Sequence, residues 1–143
     1  MADRTARVSW EGSLLEGSGT IEQVGSGAFG PLPVSWAARS EAASGGKTSP
    51  EELIAAAHAA CFSMALSSGL AQAGTPPERL ETSATVTFVP GTGITKIALT
   101  VDGRVPGLDD EGFRQAAETA KENCPVSKAL AGVGEITLDV STS

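Results

Sequence analysis

Alternation of apolar and polar residues predicts strands at both ends of the chain. In the first third, residues 5–10, 19–24 and 34–39 alternate in this way between clusters of Gly, Ser and Pro. Two further runs flank the turn at residues 90–93, and residues 135–141 form a last one. The positions predicted to face inward in these later strands are Leu80, Ala84, Val86, Phe88, Ile97, Leu99, Val101, Ile136, Leu138 and Val140. Six short strands follow from this pattern.

Two longer segments have the signals of helices. Ser49 is a predicted N-cap, followed by Pro50 at the first helical position and by Glu52 for a capping box, and this helix continues to about Gly74. A second helix opens at Asp109, with an apolar stripe at Phe113, Ala116, Ala117 and Ala120. Pro125 ends it and allows a short helix over residues 126–130, with Cys124 at its N-cap. The fold class is therefore α+β.

The first helix is apolar on every side. Residues 53–77 contain no charged side chain and are long enough to span a bilayer, but they are rich in Ala and include His58 and several Ser residues. We therefore predict a helix buried in protein and no membrane association. A chain of 143 residues with six short strands has little surface to cover such a helix all round. A homodimer, in which a second copy supplies the cover, is the expected solution.

Composition narrows the class of protein. The length of 143 residues fits a single domain over residues 1–143, and a net charge of −7 argues against nucleic acid as a partner. One His and two Cys cannot fill a four-ligand zinc site, so no metal is expected. The N-terminal residues have no apolar signal-peptide core, so we expect a cytoplasmic protein. In that reducing compartment we expect the two cysteines to have a chemical role rather than to form a structural disulfide.

The candidate chemistry lies in Cys61, Cys124, Arg39 and Glu51. Cys61 falls in the middle of its helix, so a thiolate there needs a cation from another segment, and Arg39 is the natural supplier.

Lowering a thiol pKa by two units takes about 2.7 kcal/mol, more than an exposed ion pair provides, so the pairing should be partly buried among Ala57, Ala60, Phe62 and Met64. A buried Arg39 needs an anion in turn, and Glu51 is placed to provide one, although ten residues of helix, about 15 Å, separate it from Cys61.

Residue types alone leave alternatives open. A Cys in an Ala-rich helix is often an inert small hydrophobic residue. His58 precedes Cys61 by three residues and is either a catalytic partner or a core histidine hydrogen-bonded to backbone. Ser127 has no visible base partner and is predicted to be structural.

The motifs SPEELIAAAHAACFSMAL, ITKIAL and NCPVSKAL occur in this order. Together they resemble the OsmC/Ohr family of thiol-dependent peroxidases, and within it the OsmC (osmotically inducible protein C) subgroup, over nearly the whole chain. The resemblance implies an intertwined homodimer in which two antiparallel-rich sheets wrap around two central helices. It also implies that Cys61 is peroxidatic, that Cys124 resolves it by forming a Cys61–Cys124 disulfide, and that Arg39 and Glu51 serve the site.

By that resemblance the substrate is a hydroperoxide and the product is an alcohol. The apolar, Ala-rich surroundings of Cys61 should favour organic hydroperoxides over hydrogen peroxide. An external dithiol (a lipoyl protein, thioredoxin or a small thiol) completes the cycle, and no cofactor is needed. Two other readings remain: a thiol redox sensor or binding module with incidental peroxide turnover, and a structural dimer with an inert thiol.

Overall fold

Six strands and four helices follow one another in the computed structural model, which describes all residues from Met1 to Ser143. The chain divides into two units, Met1–Leu53 and Ile54–Ser143. Each has its own three-stranded sheet. The α+β class predicted from the sequence is confirmed, whereas the single domain over residues 1–143 stays a prediction.

The first unit is a small antiparallel sheet followed by a short helix. Its strands are β1 (Ala6–Glu11), β2 (Ser18–Val24) and β3 (Leu32–Val34), in the order β1-β2-β3. Every residue of β1 is exposed, whereas Ile21 in β2 is buried. The first two predicted strands are thus confirmed to within a residue.

The third predicted strand, residues 34–39, is wrong. Only its first residue is in β3, and Trp36–Ser40 form the helix α1. The Ser35 hydroxyl accepts a hydrogen bond from the Ala38 amide at 3.1 Å, which caps the helix. This capping interaction and two helix-favouring alanines outweigh the alternation. Arg39 therefore lies in the last turn of a short helix rather than at the end of a strand.

Helix α2 (Pro50–Gln72) starts as its capping residues predict. The Ser49 hydroxyl accepts a hydrogen bond from the Glu52 amide at 3.1 Å. The Glu52 carboxylate accepts from the Thr48 hydroxyl at 2.9 Å, so the predicted capping box is only half formed. The helix ends before Gly74, whose φ of +87° reverses the chain while its amide bonds the carbonyl of Ala71.

The second unit contains a larger sheet with the order β4-β5-β6. β4 (Arg79–Val89) pairs antiparallel with β5 (Gly93–Arg104), and β6 (Glu135–Thr142) pairs parallel with β5. The inward face predicted for β5 is confirmed, since Ile97, Leu99 and Val101 are 2% exposed or less, and the predicted inward positions of β4 and β6 are partly buried. Helix α3 (Asp110–Asn123) starts at the Asp109 cap, and α4 (Pro125–Ala129) follows it directly.

The core of this unit joins α2, α3 and the sheet. It contains Phe62, Leu66, Leu70, Leu99, Val101, Phe113, Ala117, Ala120 and Cys124, all buried. The Phe113 ring packs directly against the Cα of Gly103 in β5. A Cβ added at this position would overlap the ring, so only glycine fits there. One face of α2 and the sulfur of Cys124 therefore lie in the same apolar core.

The opposite face of α2 is not covered within one chain. Ala57 and Ala60 are exposed, and Met64 is 71% exposed, so only Phe62 of the four predicted buried neighbours of Cys61 is buried. By length and composition α2 could cross a membrane, and 22% of its most apolar stretch is buried. A helix with one packed face and one exposed apolar face requires a further cover.

Candidate active site

The first unit holds a charged pair close to the start of α2. The Arg39 Nε lies 3.0 and 3.2 Å from the two carboxylate oxygens of Glu51, and its Nη2 lies 2.8 Å from Oε1. Glu51 is buried, whereas the Arg39 side chain is 33% exposed. Two guanidinium nitrogens on one carboxylate fix the plane of the guanidinium. The predicted partnership of Arg39 and Glu51 is thus present.

The second unit holds both cysteines, as free thiols. Cys61 is partly exposed on α2 and packs against the core, whereas Cys124 is 0% exposed. Pro125 cannot continue α3, so the chain turns at Cys124, whose amide still bonds the Ala120 carbonyl at 2.8 Å. Cys124 is therefore both the last cap of α3 and the first cap of α4, and its sulfur reaches Cys61.

The two thiols differ in their readiness to ionise. Burial raises the pKa of Cys61, and so do the hydrogen bond to Cys124 and the charge of that sulfur, while the Val126 amide opposes them. Burial raises the pKa of Cys124 too, but donation from the Cys61 thiol, from the amides of Ser127 and Val126 and from the Ser127 hydroxyl lowers it overall. The side chain of the neutral Cys124 makes no hydrogen bond that caps α4. These donors therefore stabilise the thiolate rather than the thiol. Within this unit, therefore, Cys124 ionises to a thiolate more readily than Cys61 does.

Known relatives share this chain's pattern. The family described as OsmC-like protein matches residues 43–139. Peroxiredoxin OsmC of Escherichia coli is 44% identical over 139 residues, covering 95% of this chain and 94% of that protein. The chain belongs to the OsmC family.

More distant members of the family carry related names. An organic hydroperoxide resistance protein of Xanthomonas axonopodis is 32% identical over 105 residues, covering 69% of this chain and 70% of that protein. The crystal structure of an organic hydroperoxide resistance protein from Elizabethkingia anophelis matches with a TM-score of 0.72 and 25% identity, over 97% of this chain and 96% of that one. The fold of this chain is therefore that of the OsmC family.

One pair in this OsmC-family chain was not anticipated from the sequence. His58 is 0% exposed, and its Nε2 lies 2.7 Å from the hydroxyl oxygen of Ser127. His58 was expected to bond backbone if it was structural, and Ser127 was expected to have no base partner; the structure corrects both expectations. The two residues are 69 positions apart, so no local spacing could signal their contact.

The structure thus groups the predicted site residues in two sets. Arg39 and Glu51 form an ion pair in the first unit, and Cys61 and Cys124 contact each other in the second. His58 and Ser127 join the second set through Cys124. The ion pair of the first unit and the asymmetric thiol pair of the second are the parts from which peroxide chemistry can be built.

Proposed function

We propose that this protein is a thiol-dependent peroxidase that reduces organic hydroperoxides to alcohols and acts more weakly on hydrogen peroxide. The observation that supports it most is the contact between Cys61 and the buried Cys124 in a chain 44% identical to peroxiredoxin OsmC. A partly exposed thiol beside a second thiol suits a two-cysteine cycle, since one sulfur can meet the oxidant and the other can resolve it.

In the first step the Cys61 thiolate attacks the distal oxygen of the hydroperoxide. The oxygen–oxygen bond breaks, the alkoxide leaves and takes a proton to become an alcohol, and Cys61 becomes a sulfenic acid. Burial and the neighbouring sulfur raise the pKa of Cys61. A thiolate at Cys61 therefore needs a cation, a role that we assign to Arg39, with Glu51 holding its guanidinium in place.

In the second step the Cys124 thiolate attacks the sulfur of the Cys61 sulfenic acid. Hydroxide leaves and is protonated to water, and the Cys61–Cys124 disulfide prevents further oxidation to the irreversible sulfinic state. An external dithiol (a lipoyl protein, thioredoxin or a small thiol) then donates two electrons and two protons, which restores both thiols. The apolar surroundings favour substrates with alkyl tails, since each buried methylene contributes about 0.8 kcal/mol.

We also propose that the working form is an intertwined homodimer of OsmC-like domains in the cytoplasm. The exposed apolar face of α2 and strand β1, all of whose residues are exposed, supply surface that a second copy would cover. A reducing compartment would keep the external dithiol available between cycles.

Consumption of cumene hydroperoxide with excess dithiothreitol tests the activity. We expect the wild type to turn over, Cys61→Ser to be inactive, and Ser63→Ala, which alters a nearby hydroxyl of the same helix, to retain activity. Mass spectrometry after one equivalent of hydroperoxide should show the loss of two hydrogens, located at Cys61 and Cys124. Disulfide formation without turnover would favour a redox sensor. If neither the disulfide nor turnover is observed, Cys61 is an inert thiol.

A further inference from the structure

A buried hydrogen-bonded pair joins α2 to α4, the short helix that Cys124 caps. His58 of α2 is 0% exposed and Ser127 of α4 is 7% exposed, and 2.7 Å separate the imidazole Nε2 from the hydroxyl oxygen. The Ser127 hydroxyl is also one of the groups that favour the thiolate of Cys124. Ser127, three residues after the Cys124 cap of α4, is therefore bonded to the imidazole and also acts on the Cys124 sulfur.

The direction of these hydrogen bonds follows from the other ring nitrogen. The Nδ1 of His58 is buried and has no hydrogen-bond partner. A buried N–H without an acceptor is rarer than a lone pair without a donor, so the ring proton belongs on Nε2. Burial lowers the pKa of His58, which keeps the ring neutral with a single proton. Nε2–H then donates to the Ser127 oxygen, so the Ser127 hydroxyl proton can donate to an acceptor other than His58.

We propose that His58 is a positioning residue for the resolving step: by donating to the Ser127 oxygen, it directs the Ser127 hydroxyl proton at the sulfur of Cys124. This inference rests on the proposed peroxidase function for its place in the cycle. Ser127 stabilises the Cys124 thiolate while that sulfur attacks the Cys61 sulfenic acid and expels hydroxide. His58 itself transfers no proton in this step, since its donor is already engaged and its pKa is low.

The expected size follows from the strength of one hydrogen bond to a charged acceptor. Removing that bond should raise the pKa of Cys124 by about one unit. The thiolate fraction at neutral pH then falls about tenfold, but a more basic thiolate is also more nucleophilic, so resolution should slow by only about threefold. The difference should disappear once the pH exceeds both midpoints.

Thiolate titration in a Cys61→Ser background is the direct test, because Cys124 is then the sole cysteine. We expect its ultraviolet titration midpoint to rise by about one unit in His58→Phe and in Ser127→Ala. His58→Gln should restore the midpoint, since the Gln Nε2 can donate from the same place. Ser63→Ala removes another α2 hydroxyl, bonded to Thr82, and should leave the midpoint unchanged.

The double variant separates positioning from general support of the fold. If His58 acts through Ser127, His58→Phe combined with Ser127→Ala should shift the midpoint no further than Ser127→Ala alone. In the two-cysteine protein, rapid mixing with one equivalent of cumene hydroperoxide should show sulfenic acid forming at the wild-type rate in His58→Phe, and the disulfide forming about threefold more slowly.

Several results would overturn the inference. Wild-type midpoints in His58→Phe and Ser127→Ala, or additive shifts in the double variant, would remove the link through Ser127. If His58→Phe does not fold, nitrogen NMR of the wild type still decides, because a ring proton on Nδ1 contradicts the proposed donor. Absence of hydroperoxide turnover would refute the proposed function alone, since the Cys124 titration needs no peroxide.

Discussion

The two units of the chain hold their candidate site residues by different forces. In Met1–Leu53 the guanidinium of Arg39 is fixed by the buried carboxylate of Glu51, in a unit with few buried apolar residues. In Ile54–Ser143 the Cys124 sulfur is fixed by a continuous apolar core. An ionic clamp and an apolar core respond differently to substitution and to pH, so the roles assigned to the two units can be tested separately.

The largest effect on stability should come from the core of the second unit. Phe113 is 1% exposed and packs against Gly103, so Phe113→Ala should lower the free energy of unfolding by about 3–5 kcal/mol. Urea denaturation measures this loss, provided that the m-value, the slope of the unfolding free energy against urea concentration, is the same in the variant and the wild type. Glu118→Ala, on the exposed side of the same helix, is the matched control and should change stability by less than about 0.5 kcal/mol. Similar losses in both variants would show that the core does not hold this unit.

The exposed face of α2 should decide the oligomeric state. Met64 is 71% exposed, and a charge at this position should oppose burial against a second copy. We expect the wild type to sediment as a dimer at micromolar concentration and Met64→Asp to associate at least about thirtyfold more weakly, near 2 kcal/mol. Met64→Leu keeps the apolar surface and should remain dimeric. A monomeric wild type would end the proposal of an intertwined homodimer.

Loss of the cation should slow peroxide reduction without abolishing it. Arg39→Ala should lower the rate at pH 7 by about 3- to 30-fold, since an opposite charge shifts a thiol pKa by about one to three units and the smaller thiolate fraction is partly compensated by the greater nucleophilicity of the more basic thiolate. Burial already raises the pKa of Cys61, so without the cation the thiolate forms at higher pH and the rate recovers as pH rises. Arg79→Ala removes an exposed arginine of the second unit and is the control. An unchanged rate and pH profile would remove Arg39 from the mechanism.

A comparison of two ion pairs sharpens the view of Arg39 as a clamped residue. Glu51 is buried beneath Arg39, whereas Arg79 and Glu81 are 71% and 59% exposed. A double-mutant cycle with Arg39→Ala and Glu51→Gln should give a coupling of about 1.5 kcal/mol in urea denaturation. The Arg79 and Glu81 cycle should give about 0.5 kcal/mol or less. Equal couplings would mean that Glu51 does not fix the guanidinium.

Local signals explain which parts of the fold were predictable. The inward faces of β4, β5 and β6 follow from alternation because one side of each strand is less exposed than the other. The start of α3 follows from Asp109, whose carboxylate accepts from the Gly112 amide at 2.8 Å. Residues 34–39 were assigned wrongly because alternation and a capping serine competed within six residues, and the cap prevailed.

The site was less predictable than the fold. Cys61 and Cys124 were paired through resemblance, since residue types alone also allowed an inert thiol. The contact of His58 with Ser127 depends on how α4 meets α2, and packing between helices distant in sequence leaves no periodic trace. The preference of the charge for Cys124 depends on donors that only the folded chain places near that sulfur.

The smallest effect is an acid dependence of stability that belongs to the second unit. His58 is the chain's one histidine, and burial lowers its pKa below the ordinary 6.5. The unfolded chain therefore binds a proton at a higher pH than the folded chain does, so His58 should reduce stability as pH falls below about 6.5. Urea denaturation across this range should show His58→Gln losing that part of the dependence. A wild-type slope in His58→Gln would mean that the imidazole takes up a proton at the same pH in the folded and the unfolded chain, which would contradict a ring kept neutral by its burial.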